Sequence, residues 1–235
     1  MKEGISVYSS YAQDILMKED GEVLSRQSGG PALFLQESLL QAQVPFELFH
    51  GETIDVEIMI TDSGEFGKIS RQSEALLFPS QTSSDWAVVS TLLKEWDLKS
   101  LNDFNGKLFV DIQGYVRNGN DFGKKQVWNE VREIAPNIFC LKGTKEEVNY
   151  VPQDVLEYQK NRLLIVTDGS NGLEIFYKGG GFSVPAEKIS KPKDTIGAGD
   201  TFFGFFVSSM YKGYDPEEAA REASKKTANF LQSKS

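Results

Sequence analysis

The sequence has very little cysteine and histidine: each occurs once in the 235 residues, as Cys140 and His50. A single cysteine excludes an intrachain disulfide and fits a reducing compartment, and a single histidine excludes a His-rich metal site. No apolar run approaches the roughly 18 residues of a membrane span, and the N-terminus shows no signal peptide. We therefore expect a cytoplasmic protein with no membrane partner.

The chain also lacks an excess of positive charge. Its formal net charge is −9 and its sequence pI is about 4.8, which argues against nucleic acid or an anionic membrane surface as a partner. Apolar residues make up 40% and charged residues 25% of the chain, as in a soluble globular protein. A length of 235 residues suffices for one large domain, so residues 1–235 are predicted to form a single domain.

Strands and helices alternate along most of the chain, which predicts an α/β fold. A mainly parallel central sheet covered by helices on both faces is the expected three-layer arrangement. We predict sheet strands over residues 5–9, 46–49, 86–90, 107–112, 138–141 and 163–167, with a C-terminal hairpin over 172–184. We predict helices over residues 31–41, 92–98, 123–134, 145–150, 153–161, 198–211 and 216–231.

Two early segments read as hairpins outside this alternation. One spans residues near 13–26, around the turn signal Asp20-Gly21, and the other spans residues near 53–70, around Thr61-Asp62-Ser63-Gly64. Together they predict a small β lid beside the main sheet. His50 is expected at a strand end on the surface.

The most informative motif is the stretch over residues 194–200, Asp-Thr-Ile-Gly-Ala-Gly-Asp, which runs into an apolar, helix-like segment. The N-terminus of a helix carries unpaired N–H groups and partial positive charge, and glycines let a phosphate approach that backbone. Asp200 beside such an anion site suits a base that removes a proton from a hydroxyl attacking phosphorus. An acidic residue in a first helical turn is also ordinary dipole compensation, so the spacing alone leaves both readings open.

Two other glycine motifs do not fit this stretch. A dinucleotide-binding fingerprint needs a third glycine where Phe202 stands. A Walker A loop needs Lys and then Ser or Thr where Phe205 and Phe206 follow Gly204.

The motif resembles the C-terminal signature of the ribokinase-like (PfkB) carbohydrate kinases, and it matches at every fixed position. The resemblance implies a ribokinase-like fold and an ATP-dependent kinase of a small hydroxylated acceptor. It implies that Asp200 is the general base and that the amides around Gly197, Ala198 and Gly199 stabilise charge on the transferred phosphoryl group. It also implies a short member of the family, because the two early hairpins form a reduced lid.

On the acceptor side, the resemblance assigns Asp14 after the first strand to hydroxyl binding, and Gly29-Gly30 to close approach of the acceptor. The stretch around Gln113 and Arg117 resembles the family's Asp-x-Asn-x-x-Arg segment, with glutamine replacing asparagine and the arginine shifted by one residue. Phe34 stands where the family often has asparagine. These departures leave the acceptor open between a sugar, a polyol such as an inositol, a nucleoside and a vitamin precursor.

On the donor side, residues 166–172 resemble the family's Thr-x-Gly-x-x-Gly turn. The residues that this likeness assigns to the nucleotide are Thr167, Gly169, Gly172, Thr195 and Asn229. Glu147 matches the glutamate of the Asn-x-x-Glu segment and would help hold Mg²⁺ through water, although Thr144 replaces the asparagine. ATP and Mg²⁺ are the expected cofactors, and K⁺ is a candidate monovalent cofactor.

Two alternatives stay open beside a sugar or polyol kinase. The first is a nucleoside or vitamin-precursor kinase, in which Tyr8, Tyr11 or Phe34 would stack on a base. The second is a catalytically weak sensor that binds a sugar or nucleotide. A homodimer formed through the lid is a further implication of the resemblance.

Overall fold

The computed structural model describes residues 3–61, 64–69, 75–79, 84–101, 104–187 and 195–233. Within these ranges most of the chain alternates between strands and helices, as the sequence predicts. The strands are β1 (Ile5–Ser9), β2 (Ala12–Lys18), β3 (Val23–Gly29), β4 (Phe46–His50), β5 (Ile54–Thr61), β6 (Gly64–Ile69), β7 (Trp86–Ser90), β8 (Lys107–Asp111), β9 (Arg117–Asn118), β10 (Asp121–Lys125), β11 (Ile138–Thr144), β12 (Leu163–Thr167), β13 (Leu173–Tyr177) and β14 (Gly180–Val184).

The α-helices include two long ones at the C-terminal end of the chain. They are α1 (Pro31–Gln41), α2 (Gln113–Val116), α3 (Val131–Ile134), α4 (Gln153–Arg162), α5 (Ala198–Tyr211) and α6 (Pro216–Ser233). Short 3₁₀ turns lie at Leu98–Leu101, Ala135–Asn137, Glu147–Tyr150 and Gly169–Asn171. No described helix is both long and apolar enough to cross a membrane.

The main sheet has eight strands in the order β14-β13-β12-β11-β8-β7-β1-β4. Within this sheet the neighbouring strands β12, β11, β8, β7, β1 and β4 pair in parallel, and β13 and β14 add an antiparallel edge. Because parallel neighbours end at the same edge, the polar residues that close β1, β7, β8 and β11 lie together at one edge. This edge carries the candidate site.

Apolar residues on alternate positions of the strands build two cores, one on each face of the sheet. Val7, Val88 and Phe109 point into one core, whereas Tyr8 and Val89 point into the other. Helices α1, α5 and α6 cover the first face, with Leu35, Phe203, Phe206 and Ala220 among the buried residues; Trp128, Val131 and Val155 are buried on the second. Burial on both faces explains the continuous apolar runs and confirms the three-layer arrangement.

The two early hairpins form one lid sheet in the order β3-β2-β5-β6. Strands β2 and β5 join them by parallel pairing, for example Asp14 opposite Val56. The two hairpins lie within residues 12–29 and 54–69, and Asp62, Ser63 and residue 70 lie outside the described residues. His50 ends β4 and is exposed, as predicted.

The helix predicted over residues 123–134 is wrong in its first half. Residues Asp121–Lys125 form β10, which pairs with β9 as a hairpin, and only Val131–Ile134 are helical. This hairpin extends the lid: the Ile69 amide donates to the Gly119 carbonyl at 2.8 Å, and a Cβ on Gly67 would meet the Phe122 ring. Pairing with β9 and packing on β6 override the local helical pattern.

Two shorter helix predictions also need correction. Residues 92–98 form bends followed by a 3₁₀ turn at Leu98–Leu101, because the Glu95 backbone pairs instead with Leu76. Residues 145–150 are helical only as the 3₁₀ turn Glu147–Tyr150, and the short helix α2 is an element that the sequence did not predict.

Glu95 is a buried carboxyl directly behind the polar edge of the sheet. Its Oε1 accepts a hydrogen bond from the Leu93 amide at 2.8 Å, whereas no described residue offers Oε2 a partner of hydrogen-bonding geometry. The hydroxyls of Ser10 and Thr91 lie close enough to lower its pKa but are themselves without such a partner. Burial is the larger effect and raises the pKa of Glu95 to about 7.

Replacing Glu95 with glutamine should remove a pH dependence of stability. The folded-state pKa of about 7 lies above the usual 4.5, so the folded protein binds more protons than the unfolded chain between these values. The free energy of unfolding therefore falls as the pH rises from about 4.5 to about 7 and then levels off, by on the order of 3 kcal/mol in total.

Urea unfolding at pH 5 and pH 8 measures this difference. We expect the difference between the two urea midpoints to be smaller in Glu95→Gln than in the wild-type protein, because an amide does not titrate, whereas Asp111 and Asp200 keep their own contributions. The same difference in both proteins would contradict the assignment.

Candidate active site

The N-terminus of α5 forms the centre of the candidate site. Gly197 precedes the helix with φ 76°, a left-handed conformation that favours glycine. The Thr201 amide donates to the Gly197 carbonyl at 2.8 Å, and the Ala198 amide donates to the Thr195 carbonyl at 3.1 Å. The Ala198 amide is thus engaged within the turn, and the amides that follow it in the first turn are those best placed to meet an anion. Asp194 lies outside the described residues.

Asp200 lies in this first turn, and its carboxylate is held by one residue at the end of β7 and one at the start of α2. Ser90, the last residue of β7, donates from Oγ to Asp200 Oδ1 at 3.0 Å. Gln113 Nε2 donates to the same oxygen at 3.1 Å. Two donors on Oδ1 fix the orientation of the carboxylate and leave Oδ2 as the oxygen that can accept a proton.

A buried ion pair lies beside Asp200. Lys142 Nζ is 2.6 Å from Asp111 Oδ2, and both side chains are almost completely buried. The two residues are register partners on the adjacent strands β8 and β11. The Ser90 hydroxyl is 3.4 Å from Asp111 Oδ2, and the backbone N–H of Gln113 donates to Asp111 Oδ1 at 3.2 Å. Ser90 and Gln113 also bind Asp200, so one network joins the ion pair to Asp200.

Burial controls the ionisation of the two aspartates. Desolvation raises the pKa of Asp200, and Lys142, Ser90 and Arg117 act against it. Desolvation likewise raises the pKa of Asp111, to about 6, against the attraction of Lys142. A carboxyl with a raised pKa is a stronger base than a solvated one, which suits proton removal near neutral pH.

Arg117 connects this network with the lid. Its Nη1 donates to the Leu92 carbonyl at 3.2 Å, and Nη2 lies 3.5 Å from Gln113 Oε1. The guanidinium lies 4.6 Å from the centre of the Phe122 ring, and that ring packs against Gly67 in β6. Gln113 and Arg117, predicted to bind the acceptor, therefore lie between Asp200 and the lid.

The other predicted acceptor residues lie together where β1 passes into the lid. Asp14 is buried on β2, and a Cβ added to Gly29 would overlap its carboxylate. Gly30 has φ 87°, and a Cβ there would lie 2.5 Å from the Ser10 carbonyl oxygen. Both glycines are needed because backbone and carboxylate approach them so closely.

The aromatic residues proposed for base stacking make contacts within the protein. Tyr8 is fully buried and stacks on Phe49, with ring centroids 4.9 Å apart. Phe34 packs against Gly197 and meets Phe230 edge-on at 6.1 Å. Tyr11 donates from its hydroxyl to Gln36 Oε1. The Phe34 ring thus supports the glycine turn from below and fills the position where the family often has asparagine.

The predicted donor residues occupy two places. Thr167 ends β12 and is followed by a turn in which Gly169 has φ 53° and Gly172 has φ 96°. A Cβ on Gly169 would meet no atom of the described residues within 4 Å, so the described part of the chain leaves room for a ligand at this turn. Thr195 and Asn229 are both exposed, at the start of the glycine turn and near the end of α6.

Glu147 and Thr144 form a reciprocal pair. Glu147 Oε2 accepts from the Thr144 amide at 2.9 Å, and Thr144 Oγ1 accepts from the Glu147 amide at 3.2 Å. This is the capping-box pattern Thr-x-x-Glu, which explains why threonine is compatible with this position. The pattern leaves Glu147 Oε1 for a water or a cation. The described residues contain no group of three acidic, histidine or cysteine side chains that could bind a metal by themselves.

Three residues of the site were not predicted from the sequence: Ser90, Asp111 and Lys142. Each closes or nearly closes a buried strand with a polar group. That pattern is a usable signal, because a charged residue inside an apolar strand needs a partner.

Comparisons with known proteins find similarity to one family of kinases. Residues 120–234 match the model described as pfkB family carbohydrate kinase. A probable fructokinase-5 of Arabidopsis thaliana is 36% identical over 108 residues, which cover 43% of this chain and 32% of that protein. A nucleoside kinase of Methanocaldococcus jannaschii is 39% identical over 98 residues, covering 40% of this chain and 32% of that protein. The matched part spans about a third of the length of these relatives.

Solved structures resemble the chain over nearly its whole length. Arabidopsis thaliana ribokinase complexed with ribose and ATP has a TM-score of 0.74 at 15% identity, covering 99% of this chain and 93% of that one. A pyrophosphate-dependent kinase in the ribokinase family, complexed with a pyrophosphate analogue and myo-inositol, has a TM-score of 0.74 at 16% identity, covering 97% and 95%. These likenesses confirm the predicted fold.

Gly197→Ala should destabilise the protein more than an alanine at a matched glycine. An alanine at Gly197 would be strained by the positive φ and would also overlap the Phe34 ring. An alanine at Gly213, which has φ 94°, would be strained by the positive φ alone, because an added Cβ meets no described atom within 4 Å. We expect Gly213→Ala to lose about 1 kcal/mol and Gly197→Ala to lose more, as measured by urea unfolding. Equal losses would show that Phe34 does not constrain the glycine turn.

Proposed function

We propose that the chain is a member of the pfkB family of carbohydrate kinases, whose model matches residues 120–234, and that it transfers the terminal phosphoryl group of ATP to a hydroxyl of a small sugar or polyol. Asp200 acts as the general base. The observation that carries this proposal is the placement of Asp200 at the N-terminus of α5, with Oδ1 held by Ser90 and Gln113. Such an arrangement orients one carboxylate oxygen beside a turn built to receive an anion.

The proposed transfer is a single displacement at phosphorus. Asp200 Oδ2 accepts the proton of the acceptor hydroxyl as the acceptor oxygen bonds to the γ-phosphorus. The bond from that phosphorus to the β–γ bridging oxygen breaks, and ADP leaves with the electron pair. The amides of the first turn of α5 stabilise the negative charge that develops on the transferred group.

Features of the donor side support a magnesium nucleotide. The described part of the chain leaves room for a ligand at the turn around Gly169, and the free Oε1 of Glu147 is suited to holding a cation through water, since Mg²⁺ keeps several waters. Mg²⁺, when bound, neutralises charge on the donor phosphates. The residues thus fit the predicted cofactors, with Thr167, Gly169, Gly172, Thr195 and Asn229 as the proposed nucleotide contacts.

Features of the acceptor side support a small hydroxylated molecule. The buried carboxylate of Asp14 lies against Gly29, and a carboxylate can accept hydrogen bonds from two neighbouring hydroxyls. The rings of Tyr8 and Phe34 pack against other residues of the chain, so neither supports stacking on a base. A nucleoside acceptor is the second candidate, favoured by the 39% identity to a nucleoside kinase.

Asp200→Asn should abolish turnover while leaving the fold intact. Asparagine keeps an acceptor for Ser90 and Gln113 but cannot take the proton, so we expect kcat to fall by at least about 100-fold. ADP release measured with Mg-ATP and a panel of pentoses, hexoses, inositols and nucleosides tests this and names the acceptor class. In a parallel series pyrophosphate replaces ATP and the release of inorganic phosphate is measured, because one structural relative is a pyrophosphate-dependent kinase.

The matched control is Asp215→Asn, since Asp215 caps the neighbouring helix α6 by accepting from the Glu218 amide. Asparagine is an equally good cap, so activity should be unchanged. In the wild-type protein, kcat/KM should fall as the pH drops through the Asp200 pKa, which burial places above the usual 3.8. Turnover that survives in Asp200→Asn, or no turnover on any acceptor, would overturn the proposed mechanism.

Glu147→Gln should raise the requirement for Mg²⁺. Glutamine preserves the capping box but removes the charge, so we expect the Mg²⁺ concentration for half-maximal velocity to rise about tenfold. The control is Glu146→Gln, which changes an exposed neighbour 3.9 Å from Lys125. An unchanged magnesium dependence in Glu147→Gln would remove Glu147 from the metal site.

A further inference from the structure

Lys142 is a buried cation whose position the proposed roles do not yet explain. It is 3% exposed and lies on β11, at the edge of the sheet beneath the first turn of α5. A Cβ added to Gly199 would lie 3.3 Å from its Nζ and would meet no other atom within 4 Å. The ammonium therefore faces the backbone of the glycine turn directly.

The ammonium has more donors than the described residues use. Asp111 Oδ2, at 2.6 Å, is the one acceptor that the described part of the chain offers to Nζ, which has three N–H groups. Buried donors are normally hydrogen-bonded. The remaining donors lie beside the surface of Gly199, where an anion would also meet the amides of α5.

The charges around Lys142 keep it protonated. Burial alone would lower the pKa of Lys142, but Asp111, Asp200 and Glu147 together raise it above the usual lysine value. These carboxylates come from β8, α5 and the turn after β11, and Arg117 adds a second positive charge near Asp200. A permanent ammonium and the positive end of a helix dipole thus converge on one small region, an arrangement that favours an anion between them.

We propose that Lys142 Nζ binds the phosphoryl group during transfer, opposite the amides of the first turn of α5. Asp111 holds the ammonium in place, so no reorganisation is needed as charge develops. Lys142 then contacts the γ-phosphoryl of the donor and later the phosphoryl on the product, whereas ADP lacks the group that it binds. This inference rests on the proposed kinase function.

The test compares the affinities of Lys142→Met for ATP and for ADP. Isothermal titration with Mg²⁺ and no acceptor should show ATP binding weakened at least about tenfold and ADP binding changed less than about twofold. We expect kcat to fall at least about 100-fold. The control is Lys99→Met, which removes an exposed lysine paired with Glu133 and should leave both affinities and kcat unchanged.

Loss of Lys142 alone leaves Asp111 buried without its partner, which can impair folding. The double variant Lys142→Met/Asp111→Asn removes both charges and keeps an acceptor for the Gln113 amide. It should fold, as judged by circular dichroism, and show the same selective loss of ATP affinity.

Three results would overturn the inference. ATP and ADP affinities that fall together in the folded double variant would indicate a structural role. A wild-type protein that phosphorylates an acceptor while Lys142→Met keeps its ATP affinity and kcat would overturn this inference alone. A wild-type protein that binds no ATP would overturn the proposed function and this inference with it.

Discussion

The ion pair between Lys142 and Asp111 is the interaction on which the candidate site depends. Three carboxylates, those of Asp111, Glu147 and Asp200, surround one ammonium in a region that excludes most water. Without that ammonium, burial and mutual repulsion would raise the pKa values of Asp111 and Asp200 further, and Asp200 would no longer suit the proposed role of a base. In known cases, removing one partner of a buried pair costs about 3–5 kcal/mol, so the pair couples the chemistry to the stability of the sheet.

The glycine turn and its aspartate could be predicted because their information is local. Residues 195–200 combine a glycine with positive φ at Gly197, small side chains and a carboxylate at a helix start. Each of these features follows from the type of residue at its own position. Ser90, Asp111 and Lys142 come from three strands far apart in sequence. Their proximity arises from strand order in the sheet, which periodicity does not reveal, so their partnership with Asp200 could not be predicted.

The elements of the fold likewise divide into those that the local sequence predicts and those that depend on partners distant in the sequence. The strands of the main sheet follow from continuous apolar runs, and the long helices α1, α5 and α6 from their apolar periodicity and start signals. Residues 123–125 were predicted as helix because nothing local indicates that β10 has a partner in β9 and a neighbour in β6. Thr144 shows how a departure from a family pattern acquires a physical reason only through its contacts, here a capping box with Glu147.

The lid is assembled from two regions of the chain, and strands β7 and β8 of the main sheet lie between them in the sequence. Strands β2, β3, β5 and β6 come from residues 12–69, whereas the hairpin that packs on β6 comes from residues 117–125. In the proposed function, the residues around the acceptor therefore come from both regions and not from one continuous segment. A chimera that exchanged only the N-terminal segment with a relative would place a foreign β6 against the native Phe122. Phe122 contacts Arg117, which lies beside Gln113, and Gln113 donates to Asp200, so a poor fit at β6 would disturb the residues around Asp200.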